Sequence, residues 1–271
     1  MNWYEDLYDP NEKPLDRLSR PYSYTSGFRT IAFVGDSLSS GEFESRDHEG
    51  KNGYHDMFEY SWGQFIARKN GLTAYNFSRG GMTTTEYLGS FARDRGFWGA
   101  DKACQAYVIA LGANDCVLAL GAANRICGRP SPLGTLADIP AEGGEKSDFF
   151  LVRYAAIVKR YKKISPDAHF FFVAPPRCGD PEIDGRAKAL RDGLEALAGY
   201  FENAWLIDLY TYAPVFDEEF LCRYSLYGHL NPMGYILTAD MVDSYIDYII
   251  RHNPQEFKAV GFINSGISWK P

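Results

Sequence analysis

From residue 30 onward, short apolar runs alternate with longer stretches in which apolar positions recur every three or four residues. Such alternation is the pattern of β and α elements wound about a mostly parallel sheet. Five runs read as strands: Thr30 to Val34, Thr73 to Phe77, Ala106 to Leu111, His169 to Ala174 and Ala204 to Leu209. The third and fourth are almost wholly apolar, as expected of strands covered by helices on both faces. Between the strands, Phe150, Leu151, Tyr154, Ile157, Val158 and Tyr161 fall at helical spacing, with Arg153, Lys159 and Lys163 on the opposite side. Ala187, Leu190, Leu194 and Leu197 repeat the pattern. A last long helix is predicted to start at Asn231-Pro232, because Asn accepts a hydrogen bond from a free backbone N–H and proline loses nothing in the first turn. Its apolar face runs through Tyr235, Ala239, Val242 and Ile246. The expected fold class is α/β, three layers (α/β/α) around a flavodoxin-like sheet of about five parallel strands.

These elements fill residues 30–250, read as one domain. Residues 1–29, with Trp3, Tyr4, Tyr8, Tyr22, Tyr24 and Phe28, read as a strap over it or as a partner-binding arm, and residues 251–271 as a tail packed on the same domain. The Gly-, Pro- and Ala-rich stretch from Cys116 to Asp148 has no sustained period and is expected to be a long excursion after the third strand.

Composition narrows the picture further. Hydrophobic residues make up 45% of the chain, enough for a sizeable core and too many for a disordered protein. The net charge is -7, from 28 basic against 35 acidic residues, and no basic stripe is present to neutralise phosphates. Nucleic acid is therefore not expected as a partner. The start of the chain lacks a basic-then-apolar leader and no apolar run has the length of a membrane span, so the expected compartment is the cytoplasm. The cysteines, Cys104, Cys116, Cys127, Cys178 and Cys222, are odd in number and scattered; reduced thiols are expected, with a Cys116–Cys127 bridge as the alternative.

The chemistry gathers at the ends of the first three strands. The first ends in Gly35-Asp36-Ser37-Leu38, which puts a serine on a tight turn at the carboxyl edge of the sheet, where ligands of open α/β sheets bind. After the second comes Asn76-Phe77-Ser78-Arg79-Gly80-Gly81-Met82-Thr83, and after the third Gly112-Ala113-Asn114-Asp115. Taken singly, Ser37 reads as a helix cap, Gly81 as a turn glycine and Asn114 as a loop-capping amide.

Together, in this order, the three blocks resemble those of the SGNH (GDSL-like) hydrolases. That family's first block holds Gly-Asp-Ser-Leu, its second a glycine that falls at Gly81, and its third Gly-x-Asn-Asp, matched by Gly112, Asn114 and Asp115. The resemblance implies the SGNH hydrolase fold, a nucleophile at Ser37, and an oxyanion hole made of the Ser37 and Gly81 backbone N–H groups and the Asn114 side chain. Fixed donors aimed at a developing oxyanion are worth about 2.7–4 kcal/mol each when tested by removal. Asp36 and Asp115 are expected to organise turns by accepting backbone hydrogen bonds, and Arg79 to be an exposed loop residue or a contact for an anionic or hydroxylated substrate.

The family's last block is Asp-x-x-His before the final helix. Here His229 fits, while Leu226 occupies the aspartate position. His229 is the expected general base, since imidazole takes and returns a proton near neutral pH. Its orienting carboxylate has to come from elsewhere: Asp217, Glu218 or Glu219 in the preceding loop, or a backbone carbonyl in its place. His169 is expected inside a strand, His252 after the last helix, and His48 and His55 in a polar loop without a third ligand for a metal.

The resemblance thus implies a serine esterase that cleaves a short acyl ester through an acyl-enzyme, with no metal or organic cofactor. An O-acetylated sugar is the expected small-molecule partner, with Trp62, Tyr87, Trp98, Tyr224 and Tyr227 as a sugar platform or as packing. Two alternatives stay open, a glycan-binding protein on the same fold and an O-acyltransferase.

Overall fold

The computed structural model describes residues 9–19, 22–118, 130–268 and 270. In chain order the strands are β1 (Thr30–Gly35), β2 (Glu42–Arg46), β3 (Asn52–Asp56), β4 (Thr73–Ser78), β5 (Ala106–Ala110), β6 (His169–Ala174), β7 (Ala204–Asp208), β8 (Ser225–Leu226) and β9 (His229–Leu230). The principal helices are α1 (Ser37–Ser40), α2 (Trp62–Asn70), α3 (Phe150–Ile164), α4 (Pro181–Tyr200), α5 (Glu218–Tyr224) and α6 (Pro232–His252). Five strands form one parallel sheet in the order β4-β1-β5-β6-β7. This is the flavodoxin-like order, with its topological switch point between β1 and β5.

Side chains alternate across each strand, so every strand feeds two cores. Ala32, Val34, Tyr107, Ile109, Phe170 and Phe172 face α3 and α4. Ile31, Phe33, Val108, Phe171 and Ile207 face α2 and α6. The last helix begins as its sequence predicts, with Asn231 accepting from Gly234 N–H at 3.0 Å and Pro232 in the first turn. Arg153 departs from its expected polar face. It is 3% exposed and lies 3.4 Å from Asp115, because the loop after β5 supplies a buried counter-charge that helical spacing cannot reveal.

Near the amino end, Ser19, Ser23 and Tyr24 are tied to α6 through Ser244, Asp243 and Asp247 at 2.8, 2.6 and 2.8 Å. Trp3, Tyr4 and Tyr8 lie outside the described residues, as do residues 119–129 of the long excursion, and with them Cys127. Cys104, Cys116, Cys178 and Cys222 are free thiols. The rest of the excursion folds back on α3, with Phe150 N–H on Pro132 O and Leu151 N–H on Leu133 O. Near the carboxyl end, the Gln105 side chain donates to Val260 O and Ile263 O, and Phe257 stacks on His169 at 4.5 Å. Among the described residues, no helix is long and apolar enough to cross a membrane.

Two small hairpins complete the carboxyl edge of the sheet. β2 and β3 follow the one-turn helix α1, and β8 and β9 precede α6. The second hairpin turns at Tyr227, which takes φ 59°, and Arg46 of β2 lies 4.4 Å over the Tyr227 ring. The two hairpins are thereby in contact.

Candidate active site

The register of the parallel sheet decides which loops meet. Gly35 pairs with Ser78 on one side and with Ala110 on the other, so the turns after β1, β4 and β5 leave the sheet at one level. Gly35 has to lack a side chain there, since a Cβ would lie 2.2 Å from Ser39 Oγ. Asp36 caps the single turn α1 by accepting from Leu38 N–H at 3.3 Å, and Gly41 ends it at φ 74°. Ser37 is half-buried on that turn, and its Oγ makes no hydrogen bond among the described residues.

Asn114 joins the three tips. Its Nδ2 lies 3.2 Å from Met82 O, next to Gly81, and 3.4 Å from Asp36 Oδ2, next to Ser37. Gly81 sits at φ 70° in the turn closed by Met82 N–H on Arg79 O. Asp115 holds this assembly from behind. It accepts from Thr84 N–H and Thr84 Oγ1 and pairs with Arg153, which also donates to Thr84 Oγ1 at 2.9 Å. Both aspartates thus act on turns. Burial pushes the Asp36 carboxyl up to about 7, against the Leu38 N–H and the His229 charge and helped by Asp115 and Glu42. Arg79 pairs with Glu86 and lies 5.1 Å from the Phe91 ring.

His229 enters from β9, which packs on α1. Opposite it in the hairpin stands Leu226, 43% exposed. None of the three acids expected to orient the ring contacts it. Asp217 caps α5 by accepting from Phe220 N–H at 3.0 Å, Glu219 pairs with Arg223 at 2.6 Å, and Glu218 is exposed. Three acids in a row suit the first turn of a helix, where backbone N–H groups are free, and that is the use they are put to.

The carboxylates that face His229 are Glu42 and Glu44 of β2. Glu42 Oε2 lies 3.1 Å from Nε2 and Glu44 Oε2 lies 3.5 Å from Nδ1. Nδ1 has no aligned hydrogen bond, so the second contact is an ion pair at its outer range. Burial alone would lower the imidazole pKa; the two carboxylates outweigh it and hold it above the ordinary 6.5. The pair was missed in the sequence. Its signal was Glu-Phe-Glu directly after the serine turn, two acids on one face of a strand. They sit on opposite edges of the ring, and among the described residues no group of His, Cys, Asp or Glu side chains is arranged to hold a metal ion. His48 reaches Glu49 at 3.8 Å and His55 is 2.9 Å from Ser45 Oγ.

Of the aromatic residues expected as a sugar platform or as packing, three take the packing role. Trp62 and Tyr87 are 2% and 0% exposed and belong to the two cores. Trp98 packs on Tyr161 at 4.7 Å. The exposed rings near His229 are Tyr227, 48% exposed and in the turn of the same hairpin, and Tyr54 on β3, 54% exposed and 6.1 Å from the His229 ring. Beside the serine turn lies a mostly apolar recess of about 70 Å³, bounded by Asp36, Leu38, Trp62, Leu111, Pro175 and Phe216.

A parallel sheet of this order, with a serine after its first strand, an asparagine after its third and a histidine before its last helix, defines the SGNH hydrolase fold. The chain belongs to the GDSL-like lipase/acylhydrolase family, whose sequence profile matches residues 33–237. Among curated proteins, none matches. Solved structures do. A lipolytic protein of the G-D-S-L family from Desulfitobacterium hafniense superposes with TM-score 0.51 at 14% identity, over 80% of this chain and 99% of its own. A carbohydrate esterase family 2 enzyme from Corynascus thermopiles, with its carbohydrate-binding domain, gives 0.56 at 16% identity, over 86% and 68%. A family 3 carbohydrate esterase from Clostridium thermocellum gives 0.51 at 14% identity, over 82% and 97%. At such identities the likeness establishes the fold.

Proposed function

We propose that this chain is a serine esterase that removes a short acyl group, acetyl first among them, from a carbohydrate ester. Ser37 attacks the ester carbonyl and its proton passes to Nε2 of His229. The oxyanion takes hydrogen bonds from the Ser37 and Gly81 backbone N–H groups and from the Asn114 amide. The imidazolium returns the proton to the leaving sugar oxygen, and water then releases the acyl group from Ser37. The observation that carries this reading is the reach of one amide, Asn114 Nδ2, to both Met82 O and Asp36, with His229 on a hairpin packed against α1. The sugar is supported by the carbohydrate esterases among the fold's relatives and by the exposed Tyr54 and Tyr227 rings beside the site, since such rings offer an apolar face with a polar tip.

A panel of acyl nitrophenyl esters and acetylated sugars tests it. The wild type should prefer the shortest acyl chains, and Ser37→Ala should lose all turnover. Turnover that survives in Ser37→Ala, or a preference for long chains, contradicts the reading. The second reading, a glycan-binding protein that keeps the fold without turnover, draws on Glu42, which stands at the nitrogen a base would use. Labelling by a fluorophosphonate that disappears in Ser37→Ala speaks for the esterase, and no labelling for the binding protein.

A further inference from the structure

The two carboxylates beside His229 have unequal surroundings. Glu44 is 6% exposed and fixed: its Oε1 accepts from Asn52 Nδ2 at 3.0 Å, and its Oε2 accepts from Gly228 N–H as well as facing Nδ1. Gly228 makes this approach feasible, because a Cβ there would lie 2.5 Å from Glu44 Oε2. The Glu42 carboxylate has no such cradle. Besides His229 Nε2 it meets only the bare Cα side of Gly80, where a Cβ would come within 2.4 Å of Oε1, and no other donor reaches it among the described residues. The remaining groups around the imidazole are Asp36 from the β1 turn, the Tyr54 ring from β3, and Tyr235 of α6, whose OH donates to Glu42 O at 2.7 Å.

Resting on the esterase reading above, we propose that Glu44 positions the imidazole in place of the aspartate that Leu226 has displaced, and that Glu42 is a clamp on Nε2 which has to let go before Ser37 can transfer its proton. The chemistry requires opposite roles. A general base must keep Nδ1–H on an orienting acceptor and leave the Nε2 lone pair free. When the ring carries both protons, Nε2–H rests on Glu42 and the ring has no lone pair to offer. Loss of the Nε2 proton to solvent frees it, and displacement of Glu42 by an entering substrate hydroxyl favours that loss by taking away the counter-charge. Glu44 stays in place throughout because its other two donors do not depend on the ring.

The test is a pH profile of kcat and KM on a short acyl ester for wild type, Glu44→Gln, Glu44→Asp, Glu42→Gln and Ser37→Ala, with thermal melts to confirm folding. Glu44→Gln should lower kcat by about 10²–10⁴-fold with little change in KM, as loss of a triad carboxylate does, and Glu44→Asp should recover part of that loss. Glu42→Gln should act in the opposite sense, moving the acidic limb of kcat/KM down by about one pH unit and raising activity several-fold near pH 6. Equal losses in both glutamine variants with unmoved acidic limbs would overturn the division of roles. If Ser37→Ala retains turnover, the esterase reading itself has failed; if only Ser37→Ala is inactive while both glutamate series match wild type, that reading stands and this inference does not.

Discussion

A buried histidine and a part-buried one sit at opposite edges of the same sheet and have been driven in opposite directions. His169, at the amino end of β6, packs against the Phe257 and Trp205 rings at 4.5 and 5.2 Å. Burial, with the charge of Lys162, lowers its pKa to about 4. His229, at the carboxyl edge, is also desolvated, yet two carboxylates hold it above 6.5. Burial alone makes a histidine an apolar plug; burial with counter-charges makes it a proton carrier. The lower edge of the sheet is closed by stacking and the upper edge gathers the charged side chains, so the proposed esterase would keep stability and chemistry apart.

That separation can be broken from either side. The largest effect is expected at the upper edge, where Ser37→Ala or His229→Ala should reduce ester turnover by about 10⁴–10⁶-fold while the melting temperature stays near wild type. Asn114→Ala should follow, lowering kcat by about 10²–10³-fold, more than it raises KM. Steady-state kinetics with a nitrophenyl ester measures both, and a pure KM effect would remove Asn114 from the oxyanion hole. At the lower edge, Phe257→Ala should cost about 3–5 kcal/mol of stability by urea denaturation, because it empties the stack over His169, with turnover at 20 °C unchanged. A loss of turnover in that variant would show the two edges to be coupled.

The smallest expected effect is pH dependence of the stability itself. His169 has a lowered folded pKa, so the folded state binds its proton less readily than the unfolded chain, and stability falls as pH drops from 6.5 toward 4, by about 1–2 kcal/mol at pH 5. His229 has a raised pKa, so its contribution is full below 6.5 and is lost as pH rises through the folded value. His169→Gln should flatten the acidic side of the stability curve alone, and His229→Gln the other side alone. Denaturation curves at a series of pH values decide it.

Legibility in the sequence followed locality. The five strands, α3, α4 and the start of α6 were readable because period, propensity and caps act over a few residues. So were the three tips, since each block lies directly after its own strand. The helical turns of residues 84–94 were not, because Gly89 and the wide turn over Tyr87–Phe91 break the period that would announce them. Asp217, Glu218 and Glu219 misled for the same local reason: their sequence proximity to His229 counted for more than their fitness to start a helix.

The sequence by itself determined the alternation that builds the sheet and the serine, glycine, asparagine and histidine at its carboxyl edge. Only the tertiary structure decided what stands beside the imidazole. Glu42 and Glu44 come from the first fifth of the chain and reach His229 because two hairpins at one sheet edge close on each other. A contact between distant segments leaves no periodic trace, since its energy depends on where the folded backbone places two charges and not on their spacing along it.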